Sequence, residues 1–255
     1  MDNLSVIIPA FNEGRRIAPT IDRILGEIAR WRPYEIIVVD DGSTDATRDI
    51  VTGMARDGLP VRLLCQDRNK GKGAALRLGV GESRGELVLL TDADLATPIS
   101  ELTKLVGYIE GGADAAIGSR ALDGSRIVVQ QTTLRQWSGQ VFNLLVRFAL
   151  LPGICDTQCG FKLFRGAVAR SLFAESVVDG YAVDVEILSL AVRAGLAVVE
   201  VPVEWSHMDG SKVQVYPDGA RMAWDVFGLW RKLWLKPAFG AVEQVALPER
   251  VAPAP

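Results

Sequence analysis

Acidic residues stand at the ends of two apolar runs of the sequence. Asp92 and Asp94, with Ala93 between them, follow one run, and Asp40 and Asp41 follow another. The chain has one histidine and three cysteines, so a zinc site built on several imidazoles is excluded. Carboxylate oxygens suit Mg²⁺ or Mn²⁺ held jointly with a diphosphate. We therefore predict that Asp92 and Asp94 are metal ligands.

The segments after the first two apolar runs raise questions of burial and of binding. Asp40 follows four apolar residues, and its carboxylate is costly to bury without a partner. The first apolar run ends in Pro9-Ala10-Phe11-Asn12-Glu13, which supplies an aromatic ring, an amide and a carboxylate. This segment is either part of a binding site or an ordinary helix start capped by Asn12.

A glycine-rich turn, Asn69 to Ala75, leads into a predicted helix. It lacks the spacing of a Walker loop. Lys70 and Lys72 lie at the helix N-terminus, where cations oppose the helix dipole unless an anion is present. Contact with a phosphate or nucleotide would remove this conflict, and the alternative is that the lysines are solvated.

The elements that position these residues follow from five short apolar runs with helical patterns between them. The runs are SVIIP (5–9), EIIVVD (35–40), VRLLC (61–65), ELVLLTD (86–92) and DAAIG (114–118). Because they are apolar continuously rather than at alternate positions, we expect a parallel sheet covered by helices on both faces. Ligands of such sheets bind at the carboxyl ends of the strands, where both acidic pairs lie.

The second half of the chain is less regular. We predict helices over about 132–151 and 180–194, and a strand over 197–203 that Pro202 places near a sheet edge. The segment Gly219–Lys236 has apolar residues at helical spacing, with three tryptophans and flanking cations. It either closes the domain or lies on an anionic membrane surface.

Composition limits the function classes. The 28 basic and 31 acidic residues give a net charge of −3, so no global basic surface is available for nucleic acid. Cys65, Cys155 and Cys159 are expected to be reduced thiols. The N-terminus does not resemble a signal peptide, and the longest apolar segment, Val141 to Ile154, is shorter than the roughly 20 residues that span a bilayer. We expect a cytoplasmic protein, either free or at the cytoplasmic membrane face.

Six motifs occur in order between about Leu4 and Lys232: VIIPAFNE, VVDDGSTD, NKGKGAA, TDADLATP, GSR and DTQCGFKLF. Together they resemble the GT-A-type inverting glycosyltransferases of family 2, specifically the polyprenyl-phosphate enzymes. The dolichyl-phosphate β-glucosyltransferases are the most similar branch, and the dolichyl-phosphate mannosyltransferases are cousins. The resemblance implies an α/β, Rossmann-like, mostly parallel sheet flanked by helices in a single GT-A domain, 1–215. A C-terminal amphipathic helix (216–237) and a loose tail (238–255) would follow.

The resemblance also implies an activity and a donor site. A hexose, glucose in preference, would pass from UDP-glucose to a polyprenyl phosphate with inversion and with Mg²⁺ or Mn²⁺. The residues predicted to bind the nucleotide sugar are Pro9, Ala10, Phe11, Glu13, Asp40, Asp41, Lys72, Asp92, Ala93, His207 and Lys212. The mannosyltransferases carry a glutamine as a further metal ligand where this chain has Ala96, which favours the glucosyl branch.

On the acceptor side, the resemblance assigns the acceptor phosphate to Arg120, Arg135 and Ser138. A phosphate monoester is mostly ionised near neutral pH, with a second pKa of about 6, so positioning should matter more than a general base. Asp156 is predicted to orient or deprotonate the acceptor. Asp184 is the second catalytic candidate, with a structural hydrogen-bonding function as its alternative, and Asp94 completes the predicted catalytic set.

Several alternatives remain open. The enzyme could use GDP-mannose, or a soluble acceptor, and a non-catalytic nucleotide-sugar-binding subunit lies outside the enzyme class. Sugar nucleotidyl transfer is disfavoured because PAFNE (9–13) is not a glycine- and arginine-rich loop. His207 and Lys212 fall in a loop that the family closes over the diphosphate, although a single exposed histidine is often incidental.

Overall fold

The computed structural model describes residues 3–31, 33–129, 143–144, 146–147, 150–208 and 215–235. The first part of the chain contains β1 (Leu4–Ala10), α1 (Ile17–Ile28), β2 (Tyr34–Asp40), α2 (Thr47–Arg56), β3 (Val61–Cys65), α3 (Lys72–Gly81), β4 (Leu87–Leu90), a 3₁₀ helix (Ile99–Glu101), α4 (Leu102–Glu110) and β5 (Ala115–Ser119). The second part contains β6 (Arg126–Val129), β7 (Lys162–Arg165), α5 (Gly166–Glu175), α6 (Val183–Arg193), β8 (Val198–Pro202), β9 (Glu204–Ser206) and α7 (Val215–Leu235).

The central sheet has the strand order β3-β2-β1-β4-β7-β5-β8. Its neighbouring strands are parallel except that β7 is antiparallel to both β4 and β5. The five apolar runs form β1 to β5, and β8 lies at a sheet edge, so these predictions are confirmed. The sequence analysis missed β7, which separates β4 from β5. It also missed the two-stranded parallel pair of β6 and β9.

The apolar runs are continuous because both faces of the sheet are covered. Val6 and Ile8 of β1 belong to a buried cluster with residues of α1 and α4. Ile7, which points to the other face, packs in a second cluster with residues of α3, α5 and α6. Successive apolar residues of β1 therefore enter apolar layers on opposite faces of the sheet, which is the arrangement that a parallel sheet between helices requires.

The predicted helices of the second half are only partly described. The helix expected over 180–194 is α6, and the terminal helix is α7, which begins four residues before Gly219. Within the helix predicted over 132–151, residues 143–144 and 146–147 are helical, whereas residues 150–151 are not, so the predicted end of this helix is wrong. The other residues of that range lie outside the described residues, as does the predicted tail. No helix in the described ranges is both long and apolar enough to cross a bilayer.

Candidate active site

The carboxyl end of β2 carries the buried acid that the sequence analysis could not explain. Asp40 is fully buried, and its Oδ2 accepts hydrogen bonds from the Gly42 and Ser43 amides, each at 3.2 Å. The Arg48 guanidinium also contacts this carboxylate. Burial is therefore offset by a cation and by backbone donors, and the turn after β2 is fixed by Asp40.

Asp41 holds the glycine-rich turn in place. Its Oδ1 accepts the Lys70 amide at 2.7 Å, and its Oδ2 accepts the Gly71 amide at 2.9 Å. Burial raises the pKa of Asp41 above its ordinary value despite these hydrogen bonds. Gly71 has a φ of +110°, and a Cβ added there would lie 2.4 Å from the Asp179 carbonyl oxygen. The glycine therefore serves a close approach of two chain segments.

Lys72 begins α3 and is compensated by carboxylates of the protein. Its Nζ lies 3.1 Å from Asp92 Oδ1 and 3.3 Å from Asp184 Oδ2. Burial alone would lower the pKa of Lys72, but the charges of Asp184 and Asp92 hold it above its ordinary value. Lys70 pairs with Asp67 at 2.7 Å. Both lysines therefore have carboxylate partners within the chain.

The Asp92-Ala93-Asp94 turn follows β4 at the rim of the sheet. A Cβ on Gly160 would lie 1.9 Å from Asp92 Oδ2, so only glycine leaves room for this carboxylate. Ala93 is buried, and its carbonyl accepts a hydrogen bond from Thr20 Oγ1 at 2.7 Å. The turn is therefore packed closely against Gly160 and hydrogen-bonded to α1.

Asp94 is held in a different electrostatic environment from a surface acid. Its Oδ1 accepts the Ala96 amide at 3.0 Å. Burial and the neighbouring charge of Asp92 raise the pKa of Asp94 above its ordinary value. A divalent cation would relieve this repulsion, and carboxylate oxygens suit Mg²⁺ or Mn²⁺, so the pair fits the predicted metal. In the part of the chain described here, no cluster of three or more histidine, cysteine, aspartate or glutamate side chains forms a ready metal site.

Arg120 and Asp156, predicted separately for the acceptor, form one ion pair. The Arg120 Nε and Nη2 donate to the two carboxylate oxygens of Asp156 at 2.7 and 2.8 Å, and the Arg120 amide donates at 2.9 Å. Asp156 is buried, which by itself would raise its pKa, but the charge and hydrogen bonds of Arg120 hold the pKa below its ordinary value. Both oxygens are engaged, and the carboxylate is a weak base.

Asp184 lies between two lysines. Lys162, which is buried in β7, donates to Asp184 Oδ1 and to the Cys159 carbonyl. Burial would raise the pKa of Asp184, but the charges of Lys162 and Lys72 hold it below its ordinary value. The sequence analysis did not identify Lys162. A lysine within a short apolar run is the signal that could have found it, because a buried cation requires an acidic partner.

The segment after β1 does not cap a helix. α1 begins at Ile17 without a side-chain cap, so the capping interpretation of Asn12 is wrong. Instead, Asn12 Oδ1 accepts a hydrogen bond from the Thr44 backbone amide at 2.8 Å, and the backbone amide of Asn12 donates to Ser43 Oγ at 2.8 Å. Asn12, with a φ of +54°, thus ties the end of β1 to the end of β2. Glu13 contacts Arg16.

Four of the predicted residues line one small pocket. Pro9, Lys72, Asp92 and Asp184 line one small pocket together with Gly160, and Ala10 and Phe11 continue the same chain segment as Pro9.

β9 connects the loop after β4 to the segment that carries His207. The Ser206 amide donates to the Ala96 carbonyl at 2.8 Å, and the His207 amide donates to the Val129 carbonyl at 3.0 Å. His207 therefore lies directly after Ser206, the residue that contacts the loop carrying Asp94 and Ala96. Lys212, Arg135 and Ser138 lie outside the described residues.

Comparison with known proteins places this arrangement among relatives. The sequence profile of glycosyl transferase family 2 matches residues 5–173. A dolichyl-phosphate beta-glucosyltransferase of Trichomonas vaginalis is 42% identical over 82% of this chain and 65% of its own length. That of Dictyostelium discoideum is 35% identical over 89% of this chain and 76% of its own length. The human one is 34% identical, with shares of 89% and 77%. The chain thus spans about two thirds to three quarters of these relatives.

Solved structures share the fold. The glucosyl-3-phosphoglycerate synthase of Mycobacterium tuberculosis in complex with UDP aligns with a TM-score of 0.68 at 20% identity, over 90% of this chain and 80% of that chain. The same enzyme with Mn²⁺, UDP-glucose and glycerol 3-phosphate aligns with a TM-score of 0.67 at 19% identity, over 91% and 79%. This likeness establishes the GT-A architecture of the sheet and helices.

Proposed function

Because the chain belongs to glycosyl transferase family 2, we propose that it transfers glucose from UDP-glucose to a polyprenyl phosphate such as dolichyl phosphate, with inversion at the anomeric carbon. The names of the relatives support the sugar and the lipid acceptor. The observation that carries the proposal is the Asp92-Ala93-Asp94 turn at the end of β4. Two acids meet there at the rim of a sheet whose strand ends are the usual ligand edge.

Asp92 and Asp94 would hold Mg²⁺ or Mn²⁺ with the donor diphosphate, and the bound cation would neutralise charge on the leaving group. The protein contributes its own cation beside this pair, because Lys72 lies 3.1 Å from Asp92 Oδ1. We assign Lys72 to the diphosphate side of the site, with Asp184 holding its ammonium group in place. Pro9, Phe11, Glu13 and the Asp41 loop would surround the nucleoside.

The acceptor brings its own nucleophile. An ionised phosphate oxygen would attack the anomeric carbon while the bond to the UDP oxygen breaks and its electron pair leaves with UDP. Little proton transfer is needed, since the phosphate is mostly ionised near neutral pH. Arg120, oriented by Asp156, would bind the acceptor phosphate. The lowered pKa of Asp156 favours orientation of the acceptor site over proton abstraction.

The test is incubation with a panel of radiolabelled UDP- and GDP-sugars, polyprenyl phosphate and Mg²⁺ or Mn²⁺, followed by organic extraction. Label from UDP-glucose should enter the organic phase, and label from GDP-mannose should not. Organic label from GDP-mannose alone would favour the mannosyl alternative. Label that stays aqueous for every donor would contradict a lipid acceptor. Binding of UDP-glucose without transfer to any acceptor would favour the non-catalytic subunit.

We also propose that α7 brings the site to a membrane surface. Trp224 and Phe227 are 75% and 53% exposed, with their ring centroids 6.2 Å apart, while Val226 and Leu229 of the same helix are buried in the core. The helix thus closes the domain with one face and presents aromatic side chains on another, as interfacial helices do.

Replacing both aromatic residues, Trp224→Ser and Phe227→Ser, should reduce co-sedimentation with anionic liposomes while leaving the fold intact. The matched control is Leu78→Ser with Val177→Ser, two exposed apolar residues elsewhere on the protein. Equal pelleting of the wild type and the aromatic variant would count against membrane contact through α7.

A further inference from the structure

Glu200 of β8 binds two consecutive backbone amides. Its Oε2 accepts the Cys155 amide at 2.7 Å, and its Oε1 accepts the Asp156 amide at 2.9 Å. Both carboxylate oxygens are therefore used to fix one peptide segment, 44 to 45 residues away in sequence. Hydrogen bonds with a charged acceptor are stronger than neutral ones, so the position of this segment depends on the charge of Glu200.

The segment that Glu200 holds carries the partner of Arg120. Asp156 accepts the Nε, Nη2 and backbone N–H groups of Arg120, and its Oδ1 also accepts the Gln158 amide at 3.1 Å. The carboxylate is thus bound both to Arg120 and, through the Gln158 amide, to the peptide segment that follows Asp156. A displacement of the Asp156 backbone therefore displaces the guanidinium that Asp156 holds.

Glu200, Asp156 and Arg120 form a relay of contacts, and its two ends lie on or next to adjacent strands. β5 and β8 are parallel, with Ile117 opposite Glu200 and Ser119 opposite Pro202, and Arg120 directly follows β5. Trp205, just beyond β8, lies with its ring centroid 5.4 Å from the Arg120 Cζ. The Asp156 carboxylate and the Trp205 indole together restrict the Arg120 side chain. The side-chain N–H groups of Arg120 that do not donate to Asp156 can donate to a ligand.

We propose that Glu200 is a positioning residue for the acceptor phosphate, acting through Asp156 on Arg120. The inference rests on the proposed function, in which Arg120 binds that phosphate. An amide in place of the carboxylate accepts with one oxygen only and places an N–H group against a backbone N–H. Glu200→Gln should therefore loosen the segment at Asp156 while keeping the size of the side chain.

Steady-state kinetics with separate variation of each substrate test the relay. Glu200→Gln should raise the KM for polyprenyl phosphate or lower kcat/KM for it by about 10- to 100-fold, the cost typical of a misplaced binding group. The KM for UDP-glucose should remain that of the wild type. Glu204→Gln on β9 is the matched control, because its carboxylate meets only the exposed Arg126 at 3.7 Å among the ion pairs of the described residues. An equal loss for both substrates would indicate general destabilisation and overturn the proposal.

A double-variant cycle tests whether the effect passes through Arg120. If it does, Glu200→Gln added to Arg120→Lys should cost little beyond Arg120→Lys alone, because lysine cannot form the forked pair with Asp156. Multiplicative losses would overturn the relay.

A spectroscopic measurement separates this proposal from the proposed function. The ¹⁵N–¹H resonance of the Arg120 Nε should shift or exchange faster in Glu200→Gln and remain unchanged in Glu204→Gln. If the wild type transfers no sugar to lipid but this resonance responds, the lipid acceptor is wrong and the relay stands. If the resonance and the acceptor KM are both unchanged, Glu200 has no positioning function.

Discussion

Two groups of carboxylates in this protein share a residue type but differ in what surrounds them. The rim pair, Asp92 and Asp94, has acids beside acids, and the pKa of Asp94 is raised by burial and by the charge of Asp92. The clamped pair, Asp156 and Asp184, is buried against Arg120 and against two lysines, and both pKa values are lowered. Burial acts to raise the pKa of Asp94, Asp156 and Asp184 alike, so the neighbouring charges decide the outcome.

The difference indicates what each pair can do. The clamped acids are neutralised within the chain, and their charge organises basic residues. The rim pair carries two carboxylates, and among the ion pairs of the described residues it has only that between Lys72 and Asp92. A cation bound from solution would therefore stabilise it. A reaction with anionic donor and acceptor benefits from both arrangements.

The largest expected effect comes from removing the charge of Asp184, one of the two clamped acids. Asp184→Asn would leave Lys162 buried with its charge uncompensated, which should cost about 3–5 kcal/mol of unfolding free energy. Urea denaturation followed by circular dichroism measures this change. Adding Lys162→Met should restore part of the loss, because it removes the unpaired ammonium group. If Asp184→Asn alone has the same unfolding free energy as the wild type, Asp184 does not compensate the buried charge of Lys162.

The rim pair should behave in the opposite way. Asp94→Asn removes a crowded charge at nearly constant volume, so the unfolding free energy should stay constant or rise slightly. Activity should fall by about 10²- to 10³-fold, the cost of losing one electrostatic contact to developing charge. Metal-dependent turnover and thermal denaturation are measured side by side, with the exposed Asp123→Asn as the control. Unchanged turnover would show that the rim pair is structural.

The same contrast explains what the sequence could predict. The rim pair and β1 to β5 follow from local patterns, since an apolar run that ends in an acid is visible in a few adjacent residues. The compensation of charge is not local. Lys72 meets Asp184, 112 residues along the chain, and no pattern of adjacent residues indicates this partner.

The errors and omissions of the sequence analysis have the same physical origin. The capping alternative for Asn12 fails because capping is a local rule, whereas the amide oxygen of Asn12 binds Thr44, 32 residues away. Glu200 and Lys162 were missed because each looks like an isolated charge in a β-branched or apolar run. β7 was missed for a related reason, since its four residues include Lys162 and Arg165. Its antiparallel pairing also reverses the alternation that the earlier strands establish.

Gly160→Ala sharpens the comparison by disturbing the rim pair without changing any charge. The added Cβ would fall 1.9 Å from Asp92 Oδ2, so this carboxylate must move, and activity should fall by about 10²-fold. Gly107→Ala in α4 is the matched control, because its Cβ would meet nothing within 4 Å and alanine favours a helix. Similar activity of the two variants would mean that the position of Asp92 is not critical.

The smallest effect is a pH dependence of the clamped pair. Because the pKa of Asp156 is lower in the folded protein than its ordinary value of 3.8, its charge contributes stability that is present above this value. That contribution is lost as the pH falls through the folded-state pKa. The stability advantage of the wild type over Asp156→Asn should therefore be constant near neutral pH and shrink below about pH 4, by at most about 1.4 kcal/mol per pH unit. Urea titrations from pH 7 to about pH 3 measure the gap, and Asp123→Asn should show no comparable trend. A gap that widens on acidification would mean that Arg120 does not stabilise the ionised form of Asp156, and the distinction between the two pairs would fail at this residue.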